Sequence, residues 1–378
     1  MTVKGHTDPR FSRLTELLAQ NIASGDELGA AIAVDIDGET VVDLWGGYAD
    51  TAQTRAWQAD TIVNVWSITK EITALALLIL VDRGLVDLDE PVATYWPEFA
   101  QNGKAAVLVR HLMSHTSGVS GWDQPMTIAE MYDWEASTTK LSQQAPWWEP
   151  GTASGYHAQN QGHLLGEVLR RITGRTLKQF VAEEIASPLG TDLQIGARAA
   201  DDHRIAEIVP PPPIDMSAAQ TAPDSPRVKT FTGPATDAAA ANTIAWRRAD
   251  MGALNGHTNA RALARTFSII SRGGEVDGIR LLSAPTIDLI FEQQSHNVDL
   301  VLGVPLRFGV GFGLPEPATL PYIPDERVCF WGGWGGSLTL MFPERRMTVS
   351  YVMNKMSPGI IGSERSAAYL TDILAAVN

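Results

Sequence analysis

A serine and a lysine three residues apart, Ser67 and Lys70, stand at the head of the most apolar run in the chain, which extends to Val81. On a helix that spacing puts both side chains on one face, a turn apart. The backbone N–H groups of a first turn lack intrahelical partners and face outward, which suits a developing negative charge. A hydroxyl nucleophile, an amine and a donor site within one turn are the parts needed for acyl transfer through a covalent intermediate. The amine serves as base only when neutral, and apolar burial is what weakens a lysine's hold on its proton. Ile72–Val81 is apolar on every side, so it predicts a helix buried in the core. Asp82-Arg83-Gly84 closes it too soon for a membrane span.

The S-x-x-K spacing alone is weak, since roughly one match is expected by chance in a chain of this length. Ser137-Thr138-Thr139-Lys140 is a second match, but it follows Asp133-Trp134-Glu135 in polar surroundings, where its lysine is expected to be solvated and charged. Other chemistries find less support. His111 and His115 have the spacing of a helical metal pair, yet no H-E-x-x-H and no third ligand accompany them. Thr116-Ser117-Gly118 lacks the first glycine of a G-x-S-x-G elbow, and no G-x-G-x-x-G or Walker lysine loop is present. No metal and no cofactor are expected.

The elements that would position Ser67 and Lys70 are readable from pattern. Gly29–Ile36 and Thr40–Gly47 alternate as two strands joined by an Asp37-Gly38 turn, a hairpin signal. A helix is expected over Arg10–Ala23, on the stripe Leu14, Leu17, Leu18 and Ile22. From about residue 90 to 235 the texture turns to helices and long polar loops, with helical patterns at Ala106–His115, Thr127–Trp134, Gln159–Arg171 and Leu177–Ile185. Four consecutive prolines, Pro210–Pro213, favour a stiff polyproline II segment. Helices are expected again at Ala260–Arg272, Pro285–Glu292 and Gly362–Ala376, with strands at Val328–Phe330, Leu338–Phe342 and Met347–Met353. The expected architecture is α+β: residues 1–90 and 235–378 form a domain around one antiparallel sheet, and residues 91–234 form an inserted, mostly helical domain.

Composition narrows the partners. With 378 residues, 44% hydrophobic, the chain is long enough for a large core. A formal net charge of −14 argues against nucleic acid or an anionic membrane surface as partner. The single cysteine, Cys329, leaves no internal disulfide and fits a reducing compartment. The polar N-terminal stretch and the want of an 18-residue apolar run lead to the expectation of a soluble, cytoplasmic protein acting on a small molecule.

Three further stretches join Ser67–Lys70 in a resemblance. Leu112-Met113-Ser114-His115-Thr116-Ser117-Gly118-Val119 resembles the "LLSHTSGL" segment of the serine β-lactamase and penicillin-binding-protein superfamily. Pro150-Gly151-Thr152-Ala153-Ser154-Gly155-Tyr156 resembles the segment that carries the catalytic tyrosine of class C β-lactamases. Trp331-Gly332-Gly333 stands where those enzymes have K-T-G. The four stretches come in the superfamily's order and cover most of the chain. The departures point to a subfamily. His157-Ala158 after Tyr156 removes the asparagine of Y-x-N, and Trp331 replaces the lysine of K-T-G. Together these are the pattern of the family VIII carboxylesterases. The resemblance implies a β-lactamase-like fold and a serine carboxylesterase acting on small or short-chain esters. It implies Ser67 as nucleophile, Lys70 and Tyr156 as proton carriers, and the backbone N–H groups of Ser67 and Trp334 as oxyanion donors. Trp331, Gly332, Gly333 and His157 are then expected at the substrate. A β-lactam, small-amide or D-peptide hydrolase, an acyltransferase and a non-catalytic acyl-binding homologue are the alternatives.

Overall fold

The computed structural model describes residues 2–212 and 222–377. The N-terminal hairpin forms as its turn chemistry requires. Strands Gly29–Ile36 (β2) and Glu39–Gly47 (β3) are joined by Asp37 and Gly38, both at positive φ, the pairing that suits a two-residue hairpin loop. Lys4–Thr7 (β1), which the polar N-terminus does not advertise, adds to the outer edge of β3. The chain's end supplies the rest: Ser295–Val298 (β4), Pro305–Phe308 (β5), Gly313–Leu314 (β6), Cys329–Gly332 (β7), Leu338–Phe342 (β8) and Met347–Met353 (β9). Among the described residues these make one antiparallel sheet in the order β1-β3-β2-β9-β8-β7-β6-β5-β4, so the two ends of the sequence meet at β2 and β9.

β8 and β9 are buried at every position, and β2 at all but its last, so this sheet is covered on both faces. Helix α1 (Ser12–Ser24) buries Leu14 and Leu18, and its glycine stop, Gly25, takes the left-handed conformation. Helix α2 (Ile68–Asp82) is buried from Ile68 to Leu80, charged residues included. It packs against α3 (Gln161–Thr173) and against β7. Helix α4 (Ala260–Ser271) lies on β2, β8 and β9, and α5 (Glu364–Val377) packs on α1. A second, three-stranded sheet joins Val63–Asn64 and Leu193–Ile195 to Gly256–Thr258, tying residues on both sides of α2 to the middle of the chain.

Several local expectations are corrected. The helix expected over Ala106–His115 is confined to Val109–Met113, because the backbone before it pairs with residues 90–92: Val92 N–H donates to Val107 O, and Val109 N–H to Glu90 O. The helix expected over Leu177–Ile185 is α-helical only to Val181 and continues as a wider π turn through Ala182–Ala186. Within the proline-rich stretch a short helix, Pro226–Thr232, is capped by Ser225. Pro210–Pro212 are described, and Pro213 lies outside the described residues. The second S-x-x-K lies on a helix, Trp134–Gln143, where Ser137 is buried and donates to Glu130 O while Lys140 pairs with Glu130 at 3.2 Å. Ser137 is thus not on a solvated face as expected, and among the described residues it shares no hydrogen bond with Lys140.

Candidate active site

Ser67 is the N-cap of α2, and the residue before it turns the chain sharply: Trp66 sits at φ 51°, a conformation that costs a non-glycine residue free energy and persists only where the surroundings enforce it. Those surroundings are visible. The Trp66 ring packs edge-on between Trp246 and Trp334, at 5.3 and 5.0 Å between centroids. Thr69 Oγ1 donates to Trp66 O and accepts from Gly256 N–H, bracing the turn against the small sheet.

Lys70 Nζ is 3.0 Å from Ser67 Oγ and donates to Ala158 O at 2.8 Å and Ala253 O at 2.9 Å. The side chain is buried and forms no ion pair with a carboxylate among the described residues. Desolvation therefore pushes its pKa well below that of a free lysine. Two carbonyls occupy two N–H groups, so a neutral amine here presents its lone pair to Ser67 Oγ. Nζ also lies 4.8 Å from the centroid of the Tyr156 ring.

Tyr156 is 1% exposed, and its hydroxyl accepts a hydrogen bond from Trp331 Nε1–H at 2.8 Å. Burial pushes its pKa well up, and hydrogen bonding with Ser67 and Trp331 pulls the other way. Burial thus favours the neutral phenol over the phenolate. Its ring meets His115 edge-on at 4.9 Å and Trp331 at 5.1 Å.

Gly333 lies against the turn that precedes Ser67, where an added Cβ would come within 2.2 Å of Ser337 Oγ and 2.4 Å of Val65 O. Only glycine permits that approach. It brings Trp334 to the rim of the cavity that holds Ser67. Among the described residues, neither Ser67 N–H nor Trp334 N–H has a protein acceptor. A cavity of about 640 Å³ opens beside Ser67 and Tyr156, walled by Trp66, Trp334, Leu254, Phe231 and the Pro210–Pro212 stretch.

None of the four residues expected at the substrate, Trp331, Gly332, Gly333 and His157, lines the cavity. His157 is fully buried behind Tyr156, with Nε2 2.6 Å from Ser117 Oγ and Nδ1 2.7 Å from Gly155 O, and burial holds its pKa down at about 3. It does not line the cavity. Trp331 is 4% exposed and faces Tyr156 and Phe308 rather than the cavity. Trp122, Trp147 and Trp148 also lie outside it, while Trp66 and Trp334 line it. His111 and His115 diverge: His111 Nδ1 accepts from Leu108 N–H, whereas His115 Nδ1 accepts from His157 N–H. The carbonyls of Ala158 and Ala253 were not foreseeable, because a backbone acceptor leaves no signature in residue type.

Comparison with known proteins agrees with this geometry. The beta-lactamase family model matches residues 14–370. The esterase/beta-lactamase LipL of Mycobacterium tuberculosis is 35% identical over 375 residues, covering 96% of this chain and 86% of its own. A crystal structure of a family VIII carboxylesterase superposes with a TM-score of 0.93 at 36% identity, with 100% of both chains covered. A penicillin-binding protein homologue from Caulobacter crescentus superposes with a TM-score of 0.89, also at 36% identity and with 100% of both chains covered. With Ser67, a buried lysine and a tyrosine brought together at one cavity, and a family model matched over residues 14–370, the chain belongs to the beta-lactamase family.

Proposed function

We propose that the chain is a serine carboxylesterase that hydrolyses small or short-chain esters through an acyl-enzyme on Ser67. The observation that carries this reading is the 3.0 Å approach of Lys70 Nζ to Ser67 Oγ, in a setting where the amine loses its proton readily. Neutral Lys70 takes the Ser67 proton as Oγ attacks the ester carbonyl carbon. The tetrahedral oxyanion sits between the N–H groups of Ser67 and Trp334, whose want of protein acceptors supports this role. The C–O bond to the alcohol then breaks, and Tyr156 gives the leaving oxygen its proton. Lys70 returns a proton to Tyr156. Water, deprotonated by the same pair, attacks the acyl carbonyl and releases the acid, restoring Ser67.

Trp331 supports ester over β-lactam specificity. An indole stands beside Tyr156 where a lysine would draw an anionic substrate, and its N–H holds the phenol in place. The apolar walls of the cavity suit a neutral acyl group. Gly333 acts here by letting the loop approach the turn before Ser67, and His157 by backing Tyr156. Residues 1–90 with 235–378, and 91–234, are read as the sheet domain and its helical insert. No helix among the described residues is long and apolar enough to cross a membrane. The buried, unpaired Cys329 supports a cytoplasmic setting.

The test is hydrolysis of p-nitrophenyl butyrate and of nitrocefin by the wild type and by Ser67→Ala, Lys70→Ala and Tyr156→Phe. Each substitution is expected to lower ester turnover by at least about 10²-fold. Ester turnover surviving Ser67→Ala would overturn the assignment, and nitrocefin cleaved faster than the ester would move it to a β-lactamase.

A further inference from the structure

The proton carrier Tyr156 belongs to no regular element: residues 153–157 lie in neither helix nor strand. A side chain used in catalysis must be held within a fraction of an ångström, and here no ladder of backbone hydrogen bonds does so. The N–H groups of the segment are held individually instead. Ser154 N–H donates to Asn297 Oδ1 at 3.3 Å, Gly155 N–H to His115 O at 2.9 Å and His157 N–H to His115 Nδ1 at 3.1 Å. Tyr156 N–H itself donates to Asp299 Oδ1 at 3.0 Å.

We propose that Asp299 is a positioning residue for Tyr156: its buried carboxylate, on the turn between β4 and β5, fixes the backbone from which the phenol reaches Ser67. This rests on the esterase reading above. Asp299 is 1% exposed and is itself immobilised. The same Oδ1 accepts Val301 N–H and Leu302 N–H, each at 2.9 Å, while Asp299 N–H donates to Val304 O and Gly303 N–H to Asp299 O. A tight turn that satisfies itself in this way has no need to reach 143 residues back along the chain, yet its carboxylate does so at the reacting tyrosine. The turn is also latched in the opposite direction, since Leu300 N–H donates to Ser154 O at 2.9 Å. From outside, Arg227, a residue of the cavity wall, donates to Val301 O and Leu302 O.

Asp299 Oδ2 is buried with no hydrogen-bond partner, so the carboxylate keeps an unsatisfied oxygen close to Tyr156. The titratable groups around the Tyr156 ring are Lys70 and Glu71 from α2 and His115, with His157 packed against His115. Burial keeps both histidines neutral. Asp299 and Glu71 both add to Tyr156's hold on its proton, which suits a group that carries a proton rather than one that stays ionised.

The experiment is a double-substitution cycle on the full chain, with p-nitrophenyl butyrate as substrate and Ser67→Ala as the background control. Asp299→Ala is expected to lower kcat about 10- to 100-fold with KM changed by no more than about threefold, the signature of a misplaced reacting group. Asp299→Asn, whose amide oxygen can accept the same three N–H groups, should recover most of that kcat. In a Tyr156→Phe background, Asp299→Ala should cost little further, because the hydroxyl it positions is already gone. Thermal unfolding of each variant accompanies the kinetics. The same fold-loss in both backgrounds, or an Asn variant no better than Ala, would overturn the proposal. Turnover that survives Ser67→Ala would sink the esterase reading instead. A Ser67-dependent enzyme indifferent to Asp299→Ala would sink only this one.

Discussion

At the scale of single residues, the site is built on removing water from groups that prefer it. Among the described residues Lys70 has hydrogen-bond acceptors but no counter-ion, and desolvation lowers its pKa. The sign of the pH dependence follows. Below the lowered pKa the amine is an ammonium and cannot accept the Ser67 proton; above it the base is available. A plot of kcat/KM against pH should therefore fall towards acid with a one-proton slope and level off well below the pKa of a free lysine, about 10.4. Full activity at about pH 4 would contradict a basic role for Lys70. Trp331 provides a second check. Trp331→Phe keeps an aromatic ring against Tyr156 but deletes the 2.8 Å indole hydrogen bond, so kcat/KM should drop about fivefold, corresponding to about 1 kcal/mol. Steady-state kinetics at saturating and limiting ester would separate that loss from any change in binding.

At the scale of elements, α2 and the loop after β7 must meet within van der Waals contact. The composition of α2 made its burial legible: from Ile72 to Val81 no face is polar. The hairpin was legible for a comparable local reason, since Asp37-Gly38 supplies the two left-handed residues such a turn needs. Gly332 and Gly333 were expected at the substrate through the resemblance alone; the structure shows Gly333 at a close approach of backbone instead. The approach is to Val65 O, directly before the nucleophile turn. Gly333→Ala should push that loop outward and separate Trp334 N–H from Ser67. The expected loss is about 10²–10³ in kcat, the usual cost of one oxyanion donor. Activity within about twofold of wild type in a folded variant, judged by circular dichroism and kcat, would show that Trp334 N–H plays no such part. Shorter elements gave less away. β4, β5 and β6 are two to four residues long and their pairing is set by distant partners, so no local period marks them.

At the scale of the whole molecule, the two chain ends are fastened beneath the sheet by a buried polar cluster. Glu27, fully buried before β2, accepts from Tyr351 on β9 and from Arg365 and Tyr369 on α5, while Asn21 on α1 donates to Tyr369. A buried pair adds little net stability over an apolar substitute, but deleting one partner strands a charge. Arg365→Met should accordingly destabilise the fold by about 3–5 kcal/mol in urea unfolding, and adding Glu27→Gln should restore part of it. A loss under about 1 kcal/mol would mean that solvent reaches Glu27 once Arg365 is gone.

The sequence by itself determined which residues could react and roughly where they would lie. Ser67 and Lys70 share a helical turn by spacing alone, the apolar run behind them dictates burial, and burial makes the lysine a base. Tyr156 entered through resemblance, because nothing local marks a tyrosine in an irregular segment as catalytic. Only the tertiary structure decided how Tyr156 is held and what faces it: Asp299 on its own N–H, His115 on the N–H groups of the flanking Gly155 and His157, and Trp331 on its hydroxyl. Tertiary structure also moved His157 from the substrate to the support behind it. The physical reason is range. Helical spacing and burial are written over a few consecutive residues, whereas the acceptors of the adjacent Tyr156 and His157 N–H groups lie 143 and 42 residues away along the chain, and only the tertiary fold brings them together.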